Sequence, residues 1–165
     1  MPIAIVMGVS GSGKSYLAER LARATGWEFA EGDDYHSEAN KAKMHSGVAL
    51  TDEDRVPWLA ALHGVLVGWE RDGRSGVLTC SALKAAYREV LVAGLPEVRF
   101  VWLDPPRGVL AERTEYRVGH FMPPALLDSQ LATLERPVED GRTLRLDGLD
   151  AVDAAVAKVM AFLKG

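Results

Sequence analysis

The octapeptide Gly8-Val9-Ser10-Gly11-Ser12-Gly13-Lys14-Ser15 stands between an apolar run, residues 3–7, and a stretch of helical period that starts at Ser15. It matches G-x-x-x-x-G-K-[ST], and no other feature constrains the chain so tightly. Glycines here admit backbone conformations that a Cβ would forbid, so successive N–H groups can turn inward around an anion. The helix that follows adds the positive end of its dipole. Lys14 is placed to reach the β- and γ-phosphates of a nucleoside triphosphate, and the Ser15 hydroxyl to ligate Mg²⁺. The plainer alternative is a glycine-rich strand-to-helix turn that binds nothing. The strand before the motif and the helix after it speak against that.

Further short apolar runs occupy residues 27–30, 77–80, 98–103 and 144–146, each bounded by Gly, Asp or Pro, which reads as buried strands. Helical stretches alternate with them: 15–24 stopping at Gly26, 54–71 opening after Thr51, 83–93 stopping at Gly94, 123–135, and 150–163. In the second, Trp58, Leu62, Val65, Leu66 and Trp69 share one face. Strands alternating with helices imply a parallel sheet joined by right-handed crossovers and covered on both faces. Ligands in such sheets sit beyond the carboxyl ends of the strands. The 165 residues make one domain, 1–165, with two polar insertions at 33–52 and 114–123 as the places to look for function.

The 19 Lys and Arg against 23 Asp and Glu give a net charge of −4, which argues against a nucleic-acid partner. One cysteine, Cys80, excludes an intrachain disulfide, and no run approaches a membrane span. The apolar run at 3–7 has no basic region ahead of it, so the expected location is the cytoplasm.

Glu31-Gly32-Asp33-Asp34-Tyr35-His36 follows the second strand. An acid at that edge can lie beside a γ-phosphate, orient an acceptor hydroxyl, take its proton and help hold Mg²⁺ through water. Equally, the segment is an Asp-rich turn capping a helix that begins near Ser37. Asp104, after the fourth strand, reads as a Mg²⁺ acid or, preferably, as the cap of a helix starting at Pro105-Pro106.

A wider pattern bears on these alternatives. Asn40, Lys43-Met44, Gly47, Leu50, Asp52, Asp54-Arg55 and Pro57-Trp58-Leu59 follow in order, then Cys80-Ser81-Ala82-Leu83-Lys84 and Tyr87-Arg88. Gly119-His120-Phe121-Met122-Pro123, Ser129-Gln130 and Leu134-Glu135 complete it. From Val6 to Pro137 the chain resembles the gluconate kinases, a branch of the small P-loop kinases. The resemblance implies an α/β, three-layer P-loop kinase fold with a five-stranded parallel sheet and a mobile lid, related in shape to shikimate and nucleoside monophosphate kinases. It implies transfer of the γ-phosphate of ATP, with Mg²⁺, to the 6-hydroxyl of D-gluconate, and a homodimer.

Carried over by position, the ATP-binding residues are Gly8, Val9, Ser10, Gly11, Ser12, Gly13, Lys14, Ser15 and Arg113. Asp33 is the acceptor-side acid, also touching the metal through water; His36, Arg55, Arg88 and His120 are acceptor-pocket residues. The catalytic set is Lys14, Asp33 and Arg117. The acceptor-binding insertion spans about 33–58 and the lid about 113–123, with adenine contacts near Arg113 and residues 136–140. Independently, gluconate is a polyhydroxy anion, and an arginine fork suits its carboxylate. For Arg55 the alternative is a surface pair with Asp52 or Asp54; for Arg88, a pair near Glu89 or with solvent; for Arg113 and Arg117, a solvated face balanced by Glu112 and Glu115.

The chain departs from the family at Ser37 and Ala49, where Pro is common, and at Val92, where a base is frequent. Three other readings stand beside this one. A shikimate kinase-like enzyme would place a Gly-rich loop where Cys80-Ser81-Ala82-Leu83-Lys84 stands; a nucleoside monophosphate kinase is disfavoured by the acceptor run from Asp52 to Leu59; an ATP-binding sensor without turnover would need neither Asp33 nor the lid arginines.

Overall fold

The computed structural model describes residues 1–116 and 124–165, with side chains described outside 114–125. Five strands, β1 (Ile3–Met7), β2 (Glu28–Glu31), β3 (Gly76–Thr79), β4 (Arg99–Leu103) and β5 (Thr143–Leu146), form one sheet in the order β2-β3-β1-β4-β5. Every pairing is parallel. The chain leaves β1 towards β2 on one side and later adds β4 and β5 on the other, so the order switches beside β1. In an open parallel sheet that switch opens a crevice at the strands' carboxyl ends, where the glycine-rich octapeptide lies.

Side chains alternate between two cores, as the two-residue period of a strand requires. Ile3, Ile5 and Met7 of β1, with Leu78, Phe100 and Trp102, face Trp58, Leu59, Leu62 and Leu66 of α3 (Asp52–Arg71) and Tyr87 and Leu91 of α4 (Ala85–Leu91). Val6, Val77, Val101 and Leu146 face Leu17, Ala18 and Leu21 of α1 (Lys14–Thr25) and Ala155 and Val159 of α7 (Val152–Lys164). Three layers result, with the expected face of α3 against the sheet. Gly76 is glycine because a Cβ there would sit 2.5 Å from the Trp69 ring.

Helix boundaries follow local chemistry. Gly26, at φ 75°, closes α1 through its N–H to the Ala22 carbonyl. Thr51 and Asp54 form a reciprocal capping box, so α3 starts two residues before the sequence expectation. The expected 83–93 helix shortens to α4 because Ala82 adopts φ 47° and Lys84 is extended. Within the 33–52 insertion, a 3₁₀ turn over Gly32–Tyr35 leads into α2 (Glu38–His45). Helices α5 (Arg107–Tyr116) and α6 (Pro124–Thr133) stand between β4 and β5.

Candidate active site

Phosphate chemistry at this edge requires a loop that can approach closely, and the structure shows why Gly8 supplies it. A Cβ on Gly8, at φ 146°, would meet the Leu103 carbonyl at 2.6 Å and Ser12 Oγ at 2.8 Å. Gly11 and Gly13 also have positive φ, 80° and 97°, and Gly13 occupies the N-cap position of α1. Lys14 Nζ donates to the carbonyls of Gly8 and Val9 at 3.0 and 3.1 Å, which folds the lysine along the loop. Residues 10–15 all line one cleft of about 1280 Å³. Among them Ser12 Oγ is buried with no hydrogen-bond partner among the described residues.

The opposite wall is built from the end of β2. Gly32 lies so close to β3 that a Cβ would stand 1.9 Å from the Thr79 carbonyl oxygen. Its N–H donates to Thr79 Oγ1 at 3.0 Å, and its carbonyl accepts from Trp58 Nε1 at 2.7 Å. This three-way seat brings two acids to the cleft. Glu31 accepts from Ser15 Oγ and Thr79 Oγ1, each at 2.5 Å. Asp33 is exposed in the same cleft, and its carboxylate has no hydrogen-bond partner among the described residues. The helix near Ser37 exists, but Ser37 caps it by accepting from the Asn40 N–H, so the cap does not occupy Asp33.

His36 follows, buried, with its ring stacked on Trp58 at 4.0 Å between centroids. Burial, with Arg55 and Lys41 nearby, lowers its pKa to about 4, so the imidazole is neutral near pH 7. Its Nδ1 is buried and lacks a partner among the described residues. Beside it, Arg55 Nη1 donates to the Leu50 carbonyl at 2.7 Å and Tyr87 Oη at 3.3 Å. The pairs considered for Arg55 do not form. Asp54 is taken by Lys43 and the α3 cap, and Asp52 by Lys84 and the Tyr87 hydroxyl.

Arg113 bridges the phosphate loop and the loop after β5, donating to Ser12 O at 3.2 Å and Gly148 O at 2.9 Å. The cleft continues there along Leu146, Gly148, Asp150 and Val152. None of residues 136–140 lines it. The segment entering β5 is held elsewhere: Asp140 caps it, and Arg142 clasps the Leu95 and Val98 carbonyls, before the amino end of β4.

Two further expectations change. Arg88 does not line the cleft; its guanidinium donates to the Ala82 carbonyl at 2.7 Å and the Glu135 carbonyl at 2.9 Å, partners unlike the Glu89 region or solvent. Asp104 does not cap α5, which begins three residues later. Its Oδ2 instead accepts from Arg136 and Arg145 at 2.9 and 3.0 Å. Arg117 and His120 lie outside the described residues. Buried Cys80, its thiol pushed up to about 12 by burial, supplies no nucleophile.

Sequence reasoning passed over Glu31 in favour of Asp33. Its last position in the strand, register-paired with Thr79, carried the signal. An all-oxygen set of Ser15, Glu31 and Asp33 suits a hard divalent cation, whose remaining ligands would be water and phosphate. Among the described residues no helix is long and apolar enough to cross a membrane.

A family model described as an AAA domain matches residues 3–137. The gluconokinase of Gluconobacter oxydans (strain 621H) is 47% identical over 156 residues, covering 94% of this chain and 88% of the relative. The crystal structure of a gluconokinase from Sinorhizobium meliloti 1021 superposes with a TM-score of 0.88 at 44% identity, covering 99% of this chain and 91% of that one. An unliganded sugar kinase from Janibacter sp. HTCC2649 gives 0.92 at 45% identity, covering 99% and 95%.

Proposed function

The chain belongs to the gluconokinase family of P-loop kinases, and from that premise we propose that it transfers the γ-phosphate of ATP to the 6-hydroxyl of D-gluconate, giving 6-phospho-D-gluconate and ADP. One observation carries the reading. A single cleft holds a phosphate loop on one wall and, on the other, an exposed carboxylate beside a neutral imidazole, with neither the carboxylate nor the buried imidazole Nδ1 hydrogen-bonded among the described residues. A sensor without turnover would need only the first wall.

The amides of Gly11 and residues 13–15, with the Lys14 side chain, hold the triphosphate, and Arg113 stands where the nucleotide leaves the loop. Ser15, with Glu31 and Asp33 behind it, would hold Mg²⁺, which when bound neutralises charge on the β- and γ-phosphate oxygens. Asp33 accepts the proton of the 6-hydroxyl as the O–P bond forms and the bond from Pγ to the β-phosphate oxygen breaks, leaving ADP. The neutral His36 ring hydrogen-bonds an acceptor hydroxyl without adding charge. Arg55 has no ion pair among the described residues, and it offers its remaining donors to the carboxylate. Arg117 and His120 complete the set in the family reading, and a cytoplasmic homodimer goes with it.

The test is ADP release measured across gluconate, other sugar acids, shikimate and nucleoside monophosphates, with Asp33→Asn alongside. Gluconate should give the highest kcat/KM, and Asp33→Asn should lower kcat by about 10²–10⁴-fold. Turnover on shikimate in preference to gluconate would overturn the acceptor; near-full turnover by Asp33→Asn would overturn the acid's role.

A further inference from the structure

We propose that Gln130 is a positioning residue for phosphoryl transfer, holding the phosphate loop in register with the acceptor wall; the proposal rests on the kinase reading above. Gln130 Oε1 accepts from the Ser10 N–H at 2.8 Å, and Nε2 donates towards Ser10 Oγ at 3.3 Å. A carboxamide presents an acceptor and a donor side by side on a neutral head. Ser10 offers the complementary pair, one N–H and one hydroxyl oxygen. A carboxylate could accept the same N–H, more strongly, but would set a negative charge beside the triphosphate.

The mount is as specific as the head group. Helix α6 carries Leu127 and Leu131, and with them Leu134 directly after it, into a small core with Val9 of the phosphate loop and Leu83 of the acceptor wall. Consecutive loop residues, Val9 by packing and Ser10 by hydrogen bonds, are therefore held by one helix. Beyond its last turn the chain is pinned to the acceptor wall: the Glu135 N–H donates to Leu83 O at 2.7 Å, and Glu135 Oε1 accepts from the Ala85 N–H at 2.7 Å. Arg88, which sequence reasoning placed in the acceptor pocket, adds a clasp across Ala82 O and Glu135 O. The segment from Gln130 to Glu135 thus ties the donor loop to the wall carrying Ser81, Leu83 and Lys84, all of which line the cleft. In-line transfer is sensitive to that spacing, because a displacement of about 1 Å can cost about 10²-fold in rate.

Gln130→Met keeps the length and apolar stem but removes the polar head; Gln130→Glu keeps an acceptor for the Ser10 N–H and adds charge. In the intact chain, Gln130→Met should lower kcat about 30-fold and weaken ADP binding about 5-fold, with KM for gluconate within about 2-fold of wild type. Gln130→Glu should recover most of kcat while raising KM for ATP about 10-fold. A purely structural role predicts equal kcat losses in both variants, tracking their unfolding midpoints, and that pattern would overturn the proposal. So would wild-type kcat and ADP affinity in Gln130→Met. ADP binding needs no acceptor, which keeps the two claims apart. A wild type that binds ADP but fails to phosphorylate gluconate refutes the acceptor assignment, and the ADP comparison still judges Gln130.

Discussion

Replacing Gly32 by Ala tests how the acid wall is held. Gly32 is outside the left-handed region, so alanine incurs no conformational penalty there. The cost is steric: the new Cβ would lie 1.9 Å from the Thr79 carbonyl oxygen, against backbone that cannot swing aside like a side chain. A tolerable contact needs more than about 1 Å of separation between β2 and β3 at their carboxyl ends. That movement weakens the bond from the Gly32 N–H to Thr79 Oγ1, worth about 1 kcal/mol. It also pulls the Gly32 carbonyl from Trp58 Nε1, and a buried indole donor left unpaired costs about 1–3 kcal/mol. With overpacking strain of about 1–3 kcal/mol the total is about 3–7 kcal/mol. For a chain of this size the unfolding midpoint should fall by more than about 6 °C.

The same displacement carries Glu31 and Asp33 with it, so kcat should drop about 10²-fold in whatever protein remains folded. The control is Gly26→Ala. Gly26 sits at φ 75° with nothing within 4 Å of its would-be Cβ, so the penalty is conformational alone, about 1 kcal/mol, with kcat unchanged. Thermal unfolding followed by circular dichroism, with turnover measured well below each midpoint, separates the two. If Gly32→Ala melts with Gly26→Ala and turns over like wild type, the seat described for the acid wall is wrong.

Two other predictions concern individual site groups. Glu31→Gln leaves an acceptor oxygen for Ser15 or Thr79 but removes the charge, so the Mg²⁺ concentration giving half-maximal rate should rise about 10-fold or more while the fold persists; an unchanged Mg²⁺ titration would remove Glu31 from the metal site. His36 has its pKa lowered by burial, so the unfolded chain binds the proton more readily than the folded one. Its contribution is fully present above about pH 6.5 and is lost as pH falls towards about 4, where the loss levels off. His36→Gln should flatten urea-unfolding stability across that window, and an unaltered acid limb would refute the assignment.

What could be read from the sequence was the part governed by neighbours in the chain. The phosphate loop, the stop at Gly26 and the apolar face of α3 each depend on residues within a turn or two, and each stands where expected. The candidate site was legible as far as the segment bearing Asp33 and His36. Glu31 was harder to assign, because its partners Ser15 and Thr79 come from other elements, brought together by strand register. Arg88 and Asp104 were misplaced for a related reason. An arginine beside a left-handed alanine finds a stranded carbonyl, and an acid just past β4 finds Arg145 of the neighbouring β5 and Arg136 ahead of it, but neither contact has a local signature. Residues 140–142, directly before β5, enter at the amino end of the sheet, away from the cleft, which only the parallel direction of β5 reveals.

How the two arginines of the cleft are held bears on what they can bind. Arg107, Arg136 and Arg145 are fixed by carboxylates, as are Lys43 and Lys158. Arg55 and Arg113, both lining the cleft, form no ion pair among the described residues; backbone carbonyls fix them instead, those of Leu50, Ser12 and Gly148. The difference is electrostatic. A carboxylate orients a guanidinium but cancels its field, so an incoming anion must first displace a bound one. A carbonyl dipole orients the same head group while leaving the full positive charge available. Several donors of the planar fork stay open because each carbonyl uses only one or two. Such an arrangement suits a site that must take up two anions at once and keep them aligned. Lys84, paired with Asp52, sits in the same cleft on the other pattern, its charge already balanced, so net attraction for an acceptor anion falls to Arg55.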